Sequence, residues 1–205
     1  MDAIIDRHAR AVQGSVRVVA EVREPDLPKP TPCAGWTLTD LLIHMTVQHR
    51  GFAAAAAGDG ADLSHWQAGQ LDRSRLVSEY LSEYQSAAAA VISAFAAEDV
   101  LVRKFCLPEI STQLPIPAEQ AIGFHLVDYV VHGWDVARTL GLGYDVDPDV
   151  LDTALLIAQA VPDDDERRRV PGAPFAPRID SPTGKPLDRV LTLLGRDPAW
   201  RPGEL

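Results

Sequence analysis

A chain of 205 residues, 46% hydrophobic and 23% charged, has the composition of a globular protein with enough length for a core, and it is read as one domain over residues 1–205. No apolar run approaches the roughly 18 residues of a membrane span, and a net charge of −10, from 29 acidic against 19 basic residues, opposes the counterion release that drives nucleic-acid binding. The start, MDAIIDRHARAVQGSV, has no basic segment leading into an apolar block, and Cys33 and Cys106 stand far apart, so the expectation is a cytoplasmic protein with neither a disulfide framework nor a cysteine zinc site.

An apolar stripe of Ile5, His8, Val12, Val16, Val19 and Val22 predicts a first amphipathic helix over residues 4–22. Four prolines in EPDLPKPTP then enforce a loop. GWTLTDLL announces a second helix: Thr37 reads as N-cap, Asp40 completes a capping box, and Trp36 is placed to pack on Leu41. This helix should reach Ala57, with Leu41, His44, Met45, Gln48 and Phe52 on its inner face. A third helix is expected near residues 72–97, where Leu76, Tyr80, Ala87, Val91 and Phe95 keep helical spacing. The Pro-broken RKFCLPEISTQLPIP that follows has room for one short extended piece.

A fourth helix spans residues 118–140 with Gly141 as its C-terminal cap. A fifth starts at Asp147 with Pro148 in its first position. Beyond Val161, DDDERRR and PGAPFAPRIDSPTG read as a solvated excursion, and residues 187–195, LDRVLTLLG, as a closing helix. The fold class is therefore all-α: an up-down four-helix bundle over residues 1–161, then an extra C-terminal helix in an irregular tail over 162–205.

The stretch FHLVDYVVHGWDVARTLG, Phe124 to Gly141, carries the chemistry. At about 100° per residue His125, Asp128 and His132 share one sector of about 60°. The remainder of the helix is apolar nearly all round, so this polar stripe faces inward or into a cleft. Burying an ionisable group without a partner costs several kcal/mol, and a cation is one common explanation for three. Asp128 and His132 at i and i+4 can face one ion, with His44 from the second helix as third ligand. Two imidazoles, one carboxylate and open positions suit catalytic zinc or ferrous iron. A buried His and Asp hydrogen-bond network without metal fits the same spacing equally well. His8 reads as a hydrogen-bonded core residue, and His49 and His65 as surface or rim residues. Asp135 is expected to pair with Arg138 at i+3, with orientation of a ligand imidazole as the alternative. Trp134 is read as core, and Cys33 as buried with reactivity as the minor alternative.

The segments TPCAGWTLTDLLIHM and HLVDYVVHGWDVARTLG, with the ending LDRVLTLLGRDPAW, resemble the actinobacterial DinB-like proteins grouped with mycothiol-dependent maleylpyruvate isomerase. The resemblance covers nearly the whole chain. It implies a DinB-like four-helix bundle holding a divalent metal, usually zinc, with iron or nickel as alternatives, through His44, Asp128 and His132. Asp128 is shorter than the Glu of the isomerase at that place, and His125 lies outside the three-ligand pattern, where it is expected to act as a catalytic base. The implied activity is that of a thiol transferase or isomerase using mycothiol as cosubstrate on a small electrophile; water activation by the same site is a related possibility. The isomerase proper has a further C-terminal domain that contributes to its active site, so its named isomerisation is not carried over. A non-catalytic, stress-related metal-binding or ligand-binding bundle is the rival reading. Expected partners are the small-molecule thiol and its electrophile, with no nucleic acid and no membrane, and the apolar stripe of the first helix suits either the core or a homodimer.

Overall fold

The computed structural model describes residues 2–68, 77–111, 114–164, 168–169, 175–180 and 184–202. Six α-helices among them carry the architecture: α1 (Ala3–Val19), α2 (Leu38–Ala57), α3 (Val77–Phe95), α4 (Ala118–Leu140), α5 (Pro148–Ala160) and α6 (Pro186–Leu193). Two-residue strands, β1 (Lys104–Phe105) and β2 (Ile116–Pro117), pair antiparallel just before α4, the short extended piece expected there. No described helix is long and apolar enough to cross a membrane.

Local chemistry sets the helix ends. The Thr37 hydroxyl accepts from the Asp40 amide at 3.3 Å while the Asp40 carboxylate accepts from the Thr37 amide at 3.0 Å, the reciprocal box that satisfies donors left open at a helix start. Gly58 and Gly141 close α2 and α4 with φ of 94° and 73°, a left-handed geometry that side chains disfavour. Pro148 opens α5 after Asp147, where a missing N–H does no harm. The third helix ends at Phe95, slightly before the expected end near residue 97; the expected start near residue 72 lies outside the described residues, since 69–76 are not described.

Four helices form the bundle, and printed side-chain pairs give their directions. His8 meets His125, and Tyr144 lies against both Gly14 and Gly133, so α1 and α4 run the same way. His44 faces His132 and Phe52 faces His125, so α2 opposes α4; Ser15 meets Tyr84 and His8 meets Phe95, so α3 opposes α1. Consequently α2 and α3 run in the same direction. The α1 stripe is used within this core: Ile5, His8, Ala11, Val12, Ser15, Val18 and Val19 are buried. α4 is the central helix, with 17 buried residues in a span of 23, which is why its sequence is apolar nearly all round. α5 and α6 pack outside it, with Val150, Ala154, Ala158, Val190, Leu191 and Leu194 buried against Val127, Val130 and Val131.

The solvated excursion after Val161 is only part of the story. Residues 165–167, 170–174 and 181–183 of it lie outside the described region. Arg168, however, is buried and donates to the carbonyls of Pro162 (2.8 Å), Ala176 (2.8 Å) and Leu193 (3.3 Å). A fork of five donors can satisfy several loop and helix-end carbonyls at once, which suits an arginine to this interior position.

Tyr144 lies between Gly14 of α1 and Gly133 of α4. Its hydroxyl donates to the Tyr129 carbonyl at 3.3 Å, and a Cβ at Gly133 would lie 2.1 Å from that hydroxyl. Gly133→Ala should therefore destabilise by about 1–3 kcal/mol through overpacking, lowering Tm by about 2–4 °C per kcal/mol in a chain of this size. In combination with Tyr144→Ala the loss should be smaller than the sum of the two single losses. Strict additivity in thermal unfolding would remove this contact as the cause.

Candidate metal centre

α4 places Asp128 and His132 one turn apart, and α2 brings His44 across from them. One donor atom from each of the three lies within 4.8 Å of the others. The His132 Nε2 to Asp128 Oδ1 distance is 3.3 Å, and the His44 and His132 rings meet edge to face at 5.2 Å between centroids. His44 and Asp128 are only half-buried, so the set is reachable from one side.

The opposite nitrogen of His132 is held from within. Nδ1 lies 2.9 Å from Asp135 Oδ2, and the fully buried Asp135 also accepts from Cys33 Sγ at 3.1 Å and from Arg196 Nε at 3.2 and 3.3 Å. Arg196 Nη2 donates in turn to Cys33 Sγ at 3.0 Å. Asp135 therefore orients the imidazole and keeps a proton on Nδ1, so that Nε2, which faces Asp128, is the nitrogen turned toward the other candidate ligands. The expected pair with Arg138 does not form: that guanidinium turns outward to the carbonyls of Trp200 (2.9 Å) and Pro198 (2.7 Å). A buried carboxylate gains more from three internal donors than from one partly exposed i+3 neighbour.

Two other clusters have metal-ligand composition. Cys33, His132 and Asp135 form one, but the Arg196 guanidinium already occupies the space over Cys33 and Asp135, and a second cation there would meet a fixed positive charge. Asp59, Asp62 and His65 form the other. Its geometry is that of a local turn, with Asp62 capping the Ser64 amide at 2.8 Å and His65 bonded to Asp59 at 2.8 Å. His44, Asp128 and His132 are thus the set whose donor chemistry fits a divalent cation.

His125 lies apart from these three, in a second buried group. Its Nδ1 is 2.8 Å from His8 Nε2 and its Nε2 is 3.2 Å from His49 Nδ1, forming a chain of three imidazoles drawn from α1, α4 and α2. Tyr129 stacks on His49 and His125 at 3.9 and 4.2 Å, and its hydroxyl donates to the Met45 carbonyl. His8 is the bonded core residue expected. His49, read from sequence as a rim residue, is instead fully buried, because α2 is enclosed on two faces by α3 and α4. The two ends of the chain, His8 Nδ1 and His49 Nε2, have no hydrogen-bond partner among the described residues.

The profile of the mycothiol maleylpyruvate isomerase N-terminal domain family matches residues 8–137. The chain belongs to that family. Two uncharacterised proteins, from two strains of Mycobacterium tuberculosis, are each 30% identical over 190 residues, covering 92% of this chain and 95% of the relative. The crystal structure of the mycothiol-dependent maleylpyruvate isomerase, and that of a point mutant of it, superpose with a TM-score of 0.59 at 12% identity, covering 76% of this chain and 68% of the isomerase. At that identity the likeness is one of fold. The span matched to the family contains His44, Asp128 and His132; Arg196 comes from beyond it.

Charge in this family member is distributed unevenly. Burial pushes the Asp128 and Asp135 carboxyls up, but His132 and, for Asp135 first of all, Arg196 outweigh it and hold both below the usual carboxylate range. Burial would lower His132, yet Asp128, by charge and hydrogen bond, and Asp135 raise it well above its ordinary value. His44 is pushed down to about 4 by burial and by the His132 charge, against the pull of Asp128.

A divalent cation on His44, Asp128 and His132 must displace the proton from His132 Nε2. Zinc titrated into metal-free protein at pH 7 should therefore release about one proton, measured from the dependence of the calorimetric enthalpy on buffer ionisation. Absence of release would place the cation elsewhere.

The imidazole chain predicts an acid limit. Burial lowers His8 to about 3 and holds His49 and His125 well below the ordinary value, each first through desolvation. The unfolded chain, with histidines near 6.5, binds more protons than the native state as pH falls. The stability contributed by these three is therefore full above about pH 6.5 and declines below it, at up to about 1.4 kcal/mol per pH unit for each such histidine. His132, raised rather than lowered, adds no slope in that window. Urea unfolding of metal-free protein should show a much lower midpoint at pH 5 than at pH 7, and an unchanged midpoint would mean that these imidazoles are not held neutral.

Proposed function

We propose that this protein is a metal-dependent enzyme that uses a low-molecular-weight thiol, mycothiol or a close analogue, to attack a small electrophilic substrate. The observation that carries this reading is the convergence of His44, Asp128 and His132 from two helices, with a half-buried side left open. Catalytic sites of this donor set keep a position for an exogenous ligand, whereas structural zinc is closed by four protein groups. Family membership supplies the thiol. Zinc is the first choice of metal, with iron and nickel as alternatives; when bound there, the ion supplies a local charge that lowers the pKa of a thiol reaching it.

The chain's own residues do the rest. Asp135 fixes the His132 tautomer, and Arg196 locks Asp135 while adding positive charge close to the site. His125 remains the proposed proton carrier; any proton it takes passes through His49 or His8, since its two ring nitrogens face those imidazoles. The isomerisation named for the structural neighbour is one member of this reaction class, and the electrophile here is a proposal at the level of class.

A non-catalytic bundle is the second reading. The Asp128 and His132 ion pair at 3.3 Å favours it, because the two groups satisfy each other without an ion.

Thiol consumption by zinc-loaded protein with a generic aryl or enone electrophile decides between them. Wild type should consume thiol well beyond the blank. His44→Ala should lose bound zinc and at least about 100-fold in rate, and Asp135→Asn about 10–100-fold with the fold retained. Bound metal with no consumption above the blank would establish the non-catalytic bundle.

A further inference from the structure

We propose that Trp36 is the platform on which a polyhydroxylated ring of the thiol cosubstrate stacks, a saccharide subsite next to the metal centre. The inference rests on the thiol reading above and adds to it the part of the cosubstrate recognised and the residue that recognises it.

The six residues 31–36, TPCAGW, form a closed loop. The Thr31 amide and hydroxyl both donate to the Trp36 carbonyl at 3.0 Å, and the Trp36 amide donates to the Cys33 carbonyl at 3.0 Å. Gly35, at φ 81°, makes the left-handed turn that lets the loop close. Pro30 and Thr37 pair as an isolated bridge at its base. Such a loop holds its side chains without relying on α2 alone.

Two side chains leave the loop toward the two histidines of the site. Cys33 goes inward to His132, Asp135 and Arg196. Trp36 lies over the His44 ring at 4.9 Å with 58° between planes, and 36% of it stays exposed. Trp66 and Trp134, by contrast, are buried at 8% and 7%, and the Trp66 indole N–H donates to the Gly60 carbonyl at 2.9 Å. The Trp36 indole N–H has no partner among the described residues. A large apolar face and a free donor, rigidly mounted beside a metal-ligand set, are features of a ligand seat.

The shape of the occupant follows from that pairing. A pyranose or cyclitol ring has a face of C–H groups that stacks on an indole and a rim of hydroxyl oxygens that can accept its N–H. Mycothiol is a thiol of this kind, an acetylated cysteine in amide linkage to an amino sugar and a cyclitol. With its sulfur at the open side of His44, Asp128 and His132, the next groups along the molecule fall beside His44, where Trp36 stands. N-acetylcysteine has the same sulfur and amide but no ring, so it separates the two contributions.

The test uses full-length zinc-loaded protein titrated calorimetrically with mycothiol and, separately, with N-acetylcysteine. Trp36→Ala should weaken mycothiol about ten-fold, the effect expected of one lost aromatic contact, while N-acetylcysteine changes less than about two-fold by the same reasoning. Trp36→Phe should keep most of the mycothiol affinity, and bound zinc should be the same in all three proteins. Quenching of indole fluorescence by mycothiol in wild type but not in Trp36→Phe is a second readout that does not need the alanine variant to fold. Equal loss for both thiols would show that Trp36 acts by holding His44, and no loss for either would remove it from the site; both overturn the inference and leave the thiol reading standing. Failure of either thiol to bind wild-type zinc protein would overturn both.

Discussion

His132 is restrained at both ring nitrogens, and the site depends on that double restraint. Asp128 faces Nε2 and Asp135 faces Nδ1, at i−4 and i+3 on the same helix, so α4 alone sets the orientation of the imidazole. A ring fixed this way by a helix is more precise than one carried on a loop, and the remaining parts are built around it. His44 arrives from α2 and Cys33 from the loop before it. Arg196, from the turn after α6, neutralises the inner carboxylate. The helices outside the four-helix core therefore have a role beyond covering α4: without the segment carrying Arg196, Asp135 would be a buried carboxylate facing one imidazole and one thiol, a poorly compensated charge.

The two histidine groups represent opposite solutions to the same problem. At the candidate metal set, burial is answered by charge: carboxylates and a guanidinium surround His132. In the chain of His8, His125 and His49, it is answered by neutrality and by mutual hydrogen bonds, with Tyr129 stacked on His49 and His125 and Phe95 tilted against His8. A neutral chain of this kind has one donor and one acceptor at each interior contact, and a single extra proton can sit on His125 with both bonds kept, since an imidazolium donates from both nitrogens. The arrangement ties α1, α2 and α4 at one level of the bundle. It also explains why the polar stripe of α4 continues a full turn below the metal set.

Much of this was legible in the sequence. Thr37, Asp40, Gly141 and Pro148 mark helix ends by chemistry that acts within a few residues, and α4 was bounded correctly because Pro117 and Gly141 are strong local stops. The spacing of Asp128 and His132 survives folding because it is internal to one helix. Less accessible were facts that depend on which helices are neighbours. His49 looks like a rim residue on α2 alone and becomes fully buried only when α3 and α4 enclose that helix. Asp135 has a plausible partner three residues away, and nothing local shows that Arg196, 61 positions later, claims it. Trp36 follows a similar pattern: nothing local shows that its indole meets the His44 imidazole.

Charge in the metal centre points to the kind of guest it can take. Without a cation, the carboxylates of Asp128 and Asp135 are matched by Arg196 and by a protonated His132, and the pocket is neutral. A divalent cation that displaced the His132 proton would leave one positive charge in excess among these groups. One anionic ligand restores neutrality; a neutral one does not. In a half-buried pocket, where unbalanced charge is poorly screened, this favours a guest that can surrender a proton on binding, as a thiol does, over one that cannot. The shorter reach of Asp128 relative to a glutamate does not alter that balance, because it changes distance and leaves the charge the same. Under the thiol reading, this balance of charge would favour a small molecule that binds as an anion.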